Sequence, residues 1–277
     1  MAIQFHQVTF KNMTGAIIGD IVGSQFRFNT TDVKDNVELF TNECSFTDHT
    51  ICAVAIADAI MNNGSYQEAL LDWCHRYPNP QGGYSDMITQ WLKDPTTSTV
   101  SSFDNSAAKR IGAVGWLFND YHQVLSESKR CAEVSHTHPE AIKGAQCVAT
   151  LIYWLRTCRI RREEIEKAVK HNFGYEIPSL REIYATIHHG QNDAACQEIV
   201  PWSIRCFLES ENFEDALRIA ISISGDSVAE AVICGSIAEA YYQIPDELIE
   251  KAFGYLTKDI LQIVEQYYEY LGSHLNK

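Results

Sequence analysis

The amino-acid sequence predicts an all-α protein organised as a single domain over residues 1–277. Apolar residues recur at intervals of three and four positions through most of the chain, which is the helical period. Ser, Asp, Asn or Pro precede many of these segments, and these residues satisfy or lack the free N–H groups of a first helical turn. Convincing alternating strands, internal repeats and low-complexity linkers are absent from the sequence.

The first three predicted helices lie close together at the start of the chain. The segment TGAIIGDIVGSQF carries Gly15, Gly19 and Gly23 at four-residue spacing, so one helix face is bare and another backbone can pack closely against it. The segment DHTICAVAIADAIMNNG follows and stops at an Asn-Gly pair, a common helix exit. The segment SYQEALLDWCHRY comes next and ends before Pro78.

Most of the remaining chain is also predicted to be helical. The segments are AAKRIGAVGWLFND, HPEAIKGAQCVATLIYWLRTC, RREEIEKAVKHNFG, SLREIYATIHHG, VPWSIRCFLES, NFEDALRIAISI, SVAEAVICGSIAEAYYQ and PDELIEKAFGYLTKDILQIVEQYYEYLGSHL. Two stretches, Tyr77 to Met87 and Asp94 to Ser106, are instead rich in Gly, Pro, Ser and Thr. Loops of this composition are surface connectors or binding loops on a rigid scaffold, and composition alone favours connectors.

Composition and charge exclude several classes of function. At 45% hydrophobic and 21% charged residues the chain has the composition of a soluble globular protein. Its formal net charge of -14 would repel nucleic acid and anionic membranes. The one dense basic run, Arg156 to Arg162, is followed at once by three glutamates and is typical of a solvated helix end. We therefore expect no nucleic-acid or membrane partner.

Nine cysteines are scattered along the chain, none in a CxxC pair, as expected for buried thiols in a reducing compartment. No apolar run reaches the roughly 18 residues that a membrane helix needs, and the first residues do not have the pattern of a secretory signal. The expected location is the cytoplasm.

Two predicted helix starts carry residues that could do chemistry. Thr47, Asp48 and His49 stand side by side before one apolar run, and Asp226 stands before another. A carboxylate at a helix N-terminus most often caps free N–H groups and suits the helix dipole. The same residue types are also possible metal ligands, so capping and metal binding both stay open at this point.

The order of motifs resembles the ADP-ribosylglycohydrolase family, which includes the ADP-ribosylarginine hydrolases and the enzyme that reactivates dinitrogenase reductase. The resemblance extends from about Thr14 to Pro245, and its most specific parts are SHTHPEAIKGAQ and GSIAEAYYQIP. The other motifs are GAIIGDIVGS, FTDHT, PQGGYS, DNSAAKRIGAVGW and GDSVAEAVICGSIAEAYYQIP. The resemblance implies an orthogonal all-α domain with a two-metal centre, usually of magnesium or manganese, that releases ADP-ribose from arginine, serine or related acceptors. Such hard ions prefer oxygen ligands and can orient a water at the anomeric carbon.

The metal motifs of this chain depart from the family pattern. The family has a threonine followed by two aspartates where this chain has Thr47, Asp48 and His49. It often has a glutamate after the first helix, where this chain has Arg27. One hypothesis is that Arg27 fills the space of a missing cation and pairs with Asp48 or Asp226. A fixed positive charge at this place can still bind a phosphate or a carboxylate, so Arg27 is also predicted to bind ligand.

The second metal motif is altered as well. The family pattern Asp-x-Asp-Thr falls on Asp226, Ser227, Val228 and Ala229, so only its first aspartate remains. Thr47, Asp48 and Asp226 are then the surviving oxygen donors, and two carboxylates beside an added guanidinium and imidazole do not provide enough negative charge for two divalent ions. If the protein is active, the resemblance makes Asp48 and Asp226 the catalytic carboxylates.

The resemblance also implies which residues bind the ligand. The family loop GNGSAMR aligns with Asp104 to Arg110, which implies ligand contacts at Asn105 and Ser106, although Ser106 replaces a glycine and crowds a phosphate. Ala107 replaces the serine of that loop. The family loop GYG aligns with Gly83, Tyr84 and Ser85. His136 lies beside the ligand in relatives and is present here, as is His138.

A second set of hypotheses concerns neighbouring residues. His49 is a softer ligand that suits zinc, with Asp48 and Asp226 completing a site for one metal. Glu230 and Cys234 are the other neighbours to which function could have moved, although Cys234 lies in mid-helix, where a core position is more common.

Two functions follow from the sequence. In the first, the protein does not catalyse hydrolysis and binds an ADP-ribosylated protein, an ADP-ribosyltransferase or a related toxin, in an immunity or regulatory role. In the second, it is a divergent ADP-ribosyl hydrolase with one divalent metal, namely magnesium, manganese or zinc, or with none. The sequence favours the first, because the scaffold motifs are present while the metal motifs are not.

Overall fold

A computed structural model describes residues 12–27, 34, 37–95, 102–188, 195–223 and 226–274. Within these ranges the chain is helical. Its strand-like pairing there is limited to two isolated β-bridges, Thr47 with Gln81 and Asp104 with Ala195. The predicted all-α class is therefore confirmed. The helices are α1 Thr14–Ser24, α2 Asp48–Met61, α3 Tyr66–Arg76, α4 Asp86–Lys93, α5 Ser106–Lys109, α6 Gly112–Leu117, α7 Tyr121–Glu133, α8 Pro139–Arg156, α9 Ile165–Phe173, α10 Leu180–His188, α11 Cys196–Glu209, α12 Phe213–Ser222, α13 Ser227–Glu239, α14 Asp246–Phe253 and α15 Lys258–His274.

Helices α1 and α13 form the centre of the fold, and every residue of both is buried. They run antiparallel, and the glycine face of α1 lies directly on the backbone of α13. A Cβ atom added at Gly19 would lie 2.1 Å from the carbonyl oxygen of Ala231, and one at Gly15 would lie 2.2 Å from that of Gly235. The close approach predicted from the glycine spacing is confirmed.

The N-terminus of α1 is capped by a side chain from the other end of the chain. Glu239 lies at the end of α13, and its carboxylate accepts hydrogen bonds from the backbone N–H groups of Met13, Thr14 and Gly15 at 3.0, 3.2 and 2.9 Å. Three free donors of the first turn are satisfied in this way, and the negative charge suits the positive end of the helix dipole. The central helix pair is thus fixed both by close packing and by this cap.

Several predicted elements differ from the structure. Helices α4 and α7 were not predicted, because their exposed faces are polar and their apolar positions are few: only Ile88 and Trp91 are buried in α4. The segment predicted as one long C-terminal helix is two helices, α14 and α15, with a break near Gly254. The segment AAKRIGAVGWLFND contains two short helices, α5 and α6.

None of the helices in the described ranges is both long enough and apolar enough to cross a membrane.

The contact between α1 and α13 gives a first prediction. Gly19→Ala places a methyl group against the backbone of Ala231, so we expect a loss of about 1–3 kcal/mol in the free energy of unfolding, the usual cost of overpacking. Gly272→Ala in α15 is the matched control, because nothing lies within 4 Å of its added Cβ and alanine favours helix by up to about 1 kcal/mol. Urea unfolding of both variants measures this; equal stability of the two would contradict the prediction.

Candidate functional site at the start of helix α2

The start of α2 is held in place by a buried carboxylate on α1. Asp20 is fully buried, and it accepts hydrogen bonds from the backbone N–H and the hydroxyl of Thr47 at 2.7 and 2.6 Å. It also accepts from the backbone N–H and the hydroxyl of Thr50 at 3.1 and 2.6 Å. Four donors therefore satisfy this carboxylate. Asp20 was missed by sequence reasoning, and the only signal for it was an acidic residue within an otherwise apolar, glycine-rich helix.

Thr47, predicted as a metal ligand, is the N-cap of α2. Its hydroxyl donates to Asp20 and accepts from the backbone N–H of His49 at 3.2 Å. The capping interpretation of this helix start therefore describes what Thr47 does in the fold.

Asp48 lies between two basic side chains. Its Oδ1 is 3.6 Å from Nη1 of Arg27, and its Oδ2 is 3.3 Å from Nδ1 of His49. Burial alone would raise the pKa of Asp48, but His49, Lys109 and Arg27 together hold that pKa well below its usual range. Asp48 is thus a carboxylate whose charge is already compensated within the protein, and Arg27 lies where one of the sequence hypotheses placed it.

A lysine that sequence reasoning missed completes this cluster. Lys109 at the end of α5 is only 8% exposed, and its Nζ lies 3.3 Å from Nε2 of His49. The ammonium group of Lys109 thus lies against the Nε2 side of the ring, and Nδ1 faces Asp48. We call Arg27, Asp48, His49 and Lys109 the charge cluster.

Arg27 is held in the charge cluster by the predicted ligand loop. Its Nη1 donates to the carbonyl oxygen of Gln81 at 3.4 Å, and a Cβ added at Gly82 would lie 2.3 Å from the same nitrogen. Gly82 has φ of +79°, so glycine suits this position both by its backbone and by its lack of a side chain. The loop thus supports a protein side chain at this point.

The three residues of the loop that were predicted to bind ligand have separate places in the fold. Nothing lies within 4 Å of a Cβ added at Gly83. The hydroxyl of Tyr84 donates to the carbonyl oxygen of Tyr77 at 2.8 Å, and Ser85 caps α4 by accepting from the backbone N–H of Ile88. Ligand binding by Gly83, Tyr84 and Ser85 stays a prediction, and the two side-chain hydroxyls already have structural partners.

A second polar cluster surrounds His136, which is fully buried. Its Nε2 lies 3.0 Å from Oδ1 of Asp104, and its Nδ1 lies 2.8 Å from the hydroxyl of Ser135. Arg110 in turn donates to Ser135 at 2.8 Å, and the backbone N–H of Ser106 donates to Asp104 at 2.7 Å. The Nε2 donor of His136, predicted to face a ligand, therefore faces a carboxylate of the protein. The neighbouring Asn105, also predicted to bind ligand, is buried at the start of α5.

The pKa values of this second cluster follow from burial and hydrogen bonding. Burial lowers the pKa of His136, and this outweighs the hydrogen bond that its Nε2 donates to Asp104, which raises it. For Asp104, burial raises the pKa, but the hydrogen bonds from His136 and Ser106 outweigh burial and leave it below the usual range. His136 is thus neutral and Asp104 ionised at neutral pH.

Asp226 and its neighbours lie at the start of α13. Asp226 is the N-cap, and its Oδ1 accepts from the backbone N–H of Ala229 at 3.3 Å. Glu230 and Cys234 are fully buried within the same helix, and the thiol of Cys234 lies 3.5 Å from the carbonyl oxygen of Ala216. Cys234 is thus a core residue, as its mid-helix position suggests.

The residues around Asp48 do not fit a pair of divalent cations. In the part of the chain that the structure describes, no group of three or more His, Cys, Asp or Glu side chains is arranged to hold a metal ion, and this holds for the hypothetical trio Asp48, His49 and Asp226. The side chains nearest to Asp48 are instead basic. Hard divalent ions need several oxygen donors, and this cluster supplies one carboxylate.

The buried His136 predicts a pH dependence of stability. Its folded-state pKa lies below the unfolded value of about 6.5, so below that pH the unfolded chain binds a proton that the folded chain does not, and stability falls as the pH decreases. His136→Gln keeps a donor towards Asp104 without titrating. We expect its stability loss between pH 7 and 5.5 to be smaller than that of the wild type by about 1 kcal/mol. Thermal unfolding across this range measures the difference, and identical slopes would show the prediction to be wrong.

Comparison with known proteins adds to this geometry. The family model described as ADP-ribosylglycohydrolase matches residues 10–275. The ADP-ribosylhydrolase ARH3 of Mus musculus is 22% identical, with 90% of this chain and 88% of that protein covered. The ADP-ribosylarginine hydrolase Tri1 of Pseudomonas putida is 24% identical, with 86% of this chain and 72% of that protein covered.

A solved structure shares the fold. A chain of an ADP-ribosylglycohydrolase-related protein complex superimposes with a TM-score of 0.66 at 17% identity and covers 94% of this chain and 93% of its own. The helical architecture and the match over nearly all residues agree with the order of motifs in the sequence. The chain belongs to the ADP-ribosylglycohydrolase family.

Proposed function

We propose that this protein is a non-hydrolytic member of the ADP-ribosylglycohydrolase family, acting in the cytoplasm by binding. Its partner is an ADP-ribosylated protein, an ADP-ribosyltransferase or a related toxin, and its role is immunity or regulation. It uses no cofactor in this role, and its site takes at most one divalent metal.

The observation that carries this proposal is the environment of Asp48. Metal-assisted hydrolysis needs carboxylates that hold cations and leave a position for an activated water. Here the carboxylate of Asp48 faces Arg27 at 3.6 Å and His49 at 3.3 Å, and both contacts are made by the protein itself. A guanidinium does not lower the pKa of a water as a bound metal ion does, so the cluster supports binding better than hydrolysis.

The type of partner is inferred from the family and from the relatives. Tri1 is named as an ADP-ribosylarginine hydrolase, and ARH3 as an ADP-ribosylhydrolase. The scaffold that positions the site in this chain is complete around Asp20 and Glu239. A protein that keeps such a scaffold while its charge cluster lacks metal ligands is suited to recognise an ADP-ribosylation partner without cleaving it.

The second candidate function is a divergent ADP-ribosyl hydrolase with one metal or none. It is favoured by the low pKa of Asp48, which keeps an ionised carboxylate at the start of α2. An ionised carboxylate can act as a general base or stabilise positive charge at an anomeric carbon. Asp226 would be the second carboxylate of such a site.

A hydrolysis assay separates the two functions. With arginine and serine peptides that carry ADP-ribose, in magnesium or manganese buffer, we expect no release of ADP-ribose above the uncatalysed rate, because no metal-bound water is available. Binding of the modified peptides should exceed binding of the same peptides without ADP-ribose. Release that is lost in the isosteric variant Asp48→Asn would establish the hydrolase instead.

Free ADP-ribose is expected to bind weakly. Ser106 adds bulk to the predicted phosphate loop, and the carboxylate of Asp104 brings a negative charge to the donors that a phosphate would use. We expect a Kd of about 1 mM or weaker, equivalent to roughly −4 kcal/mol. Calorimetry measures this. Tight binding that disappears in His136→Ala would mean that the pocket accepts free ADP-ribose and that Ser106 does not crowd the phosphate.

A further inference from the structure

We propose that Lys109 and Arg27 are built-in cations of the α2 site, which compensate the charge of Asp48, engage the ring of His49 and exclude divalent metal ions from both residues. The role of Lys109 is not apparent from the metal motifs. The proposal concerns metal binding alone, so it holds or fails independently of which ADP-ribosyl partner the protein binds.

The four side chains of the charge cluster follow one another in space. Arg27 lies 3.6 Å from Asp48, and Lys109 lies 3.3 Å from His49, which itself lies 3.3 Å from Asp48. The order along the cluster is therefore guanidinium, carboxylate, imidazole, ammonium. With two permanent positive groups and one negative group, the cluster has a net positive charge before any ion arrives, and a divalent cation is repelled.

The ring nitrogens of His49 are both engaged by other side chains of the cluster. A histidine binds zinc or a similar ion through an unprotonated ring nitrogen. In this cluster Nε2 of His49 lies 3.3 Å from the ammonium nitrogen of Lys109, and Nδ1 lies 3.3 Å from a carboxylate oxygen of Asp48. Both nitrogens are engaged, so even a site for one soft metal lacks its histidine ligand.

The two basic side chains of the cluster are held in fixed positions. Lys109 is 8% exposed and lies at the end of α5, where its chain neighbours Ala107, Ala108 and Arg110 are buried as well. Arg27 rests on Gly82 and donates to Gln81. A lysine in solvent could move away and admit an ion, but a buried lysine leaves its hydrogen-bond partner only at the cost of an unpaired buried charge.

One atom of the cluster marks where a metal would otherwise enter. Oδ1 of Asp48 is buried and, among the described residues, accepts no hydrogen bond, although Arg27 is near it. An unpaired carboxylate oxygen of this kind is a natural ligand for a hard cation. The guanidinium at 3.6 Å compensates its charge without a close hydrogen bond, so the exclusion of metal depends on charge and can be reversed by changing charge.

The experiment restores carboxylates with and without Lys109. The variant R27E/H49D puts two further acids beside Asp48 but keeps Lys109, and the variant R27E/H49D/K109M also replaces the ammonium by an apolar side chain of similar length. The control R27E/H49D/K129M removes instead a lysine on α7 whose side chain is 55% exposed. These three variants and the wild type are titrated with Mn²⁺ alone by calorimetry and by thermal unfolding, after circular dichroism has shown that they fold.

We expect R27E/H49D/K109M to bind Mn²⁺ at least tenfold more tightly than R27E/H49D and R27E/H49D/K129M do. Its melting temperature should rise when Mn²⁺ is added. Binding of Mn²⁺ by the wild type as tight as that by R27E/H49D/K109M would overturn the proposal. So would equal affinity of R27E/H49D and R27E/H49D/K109M, because Lys109 would then have no role. Failure of folded R27E/H49D/K109M to bind Mn²⁺ would also overturn the proposal, because removal of Arg27 and Lys109 would not have opened the site.

A second measurement uses the wild-type protein and does not depend on the folding of variants. Nitrogen-15 NMR of the His49 ring should show no change in either ring nitrogen when Zn²⁺ is added, because both nitrogens are engaged by the protein. A shift of the His49 nitrogens on addition of Zn²⁺ would show that a metal reaches the ring, and the proposal would be wrong.

Discussion

The candidate site depends on one buried carboxylate, that of Asp20. Its four hydrogen bonds fix Thr47 and Thr50 against α1, and α1 is itself fixed against α13 by the glycine face and by the cap from Glu239. A buried charge is tolerated only when its hydrogen bonds are satisfied, so the start of α2 has little freedom to move. Asp48 and His49 follow directly in the chain and inherit this rigidity.

The charge cluster is assembled by side chains from three separate parts of the fold. The position of Asp48 is set by the backbone of α2, not by a bound ion, so side chains from elsewhere can supply the compensating charge. Arg27 comes from the end of α1, with support from Gly82, and Lys109 comes from α5. An attached cation needs no binding equilibrium, so under the proposal above the stability of this region would not depend on the metal concentration.

The sequence predicted the parts of the structure that depend on local pattern. The helical class, the glycine face of α1 and the starts of α2 and α13 follow from period and spacing. Lys109 and the contact between Asp104 and His136 could not be predicted, because they bring together side chains from distant parts of the chain. Helix α7 was missed for a different reason, since only one strongly apolar residue, Val124, and three small ones are buried along its 13 residues.

Motif residues with a structural role say little about catalysis by their presence. Thr47 and Asp226 cap helices, His138 accepts from the backbone N–H of Glu140 at the start of α8, and His136 is bonded to Asp104. Each of these interactions stabilises the fold whether or not a ligand binds. Asp48 differs, because its Oδ1 accepts no hydrogen bond among the described residues and so contributes little to the fold. The chemistry of this protein therefore depends on what stands beside that oxygen, and in this chain it is a guanidinium.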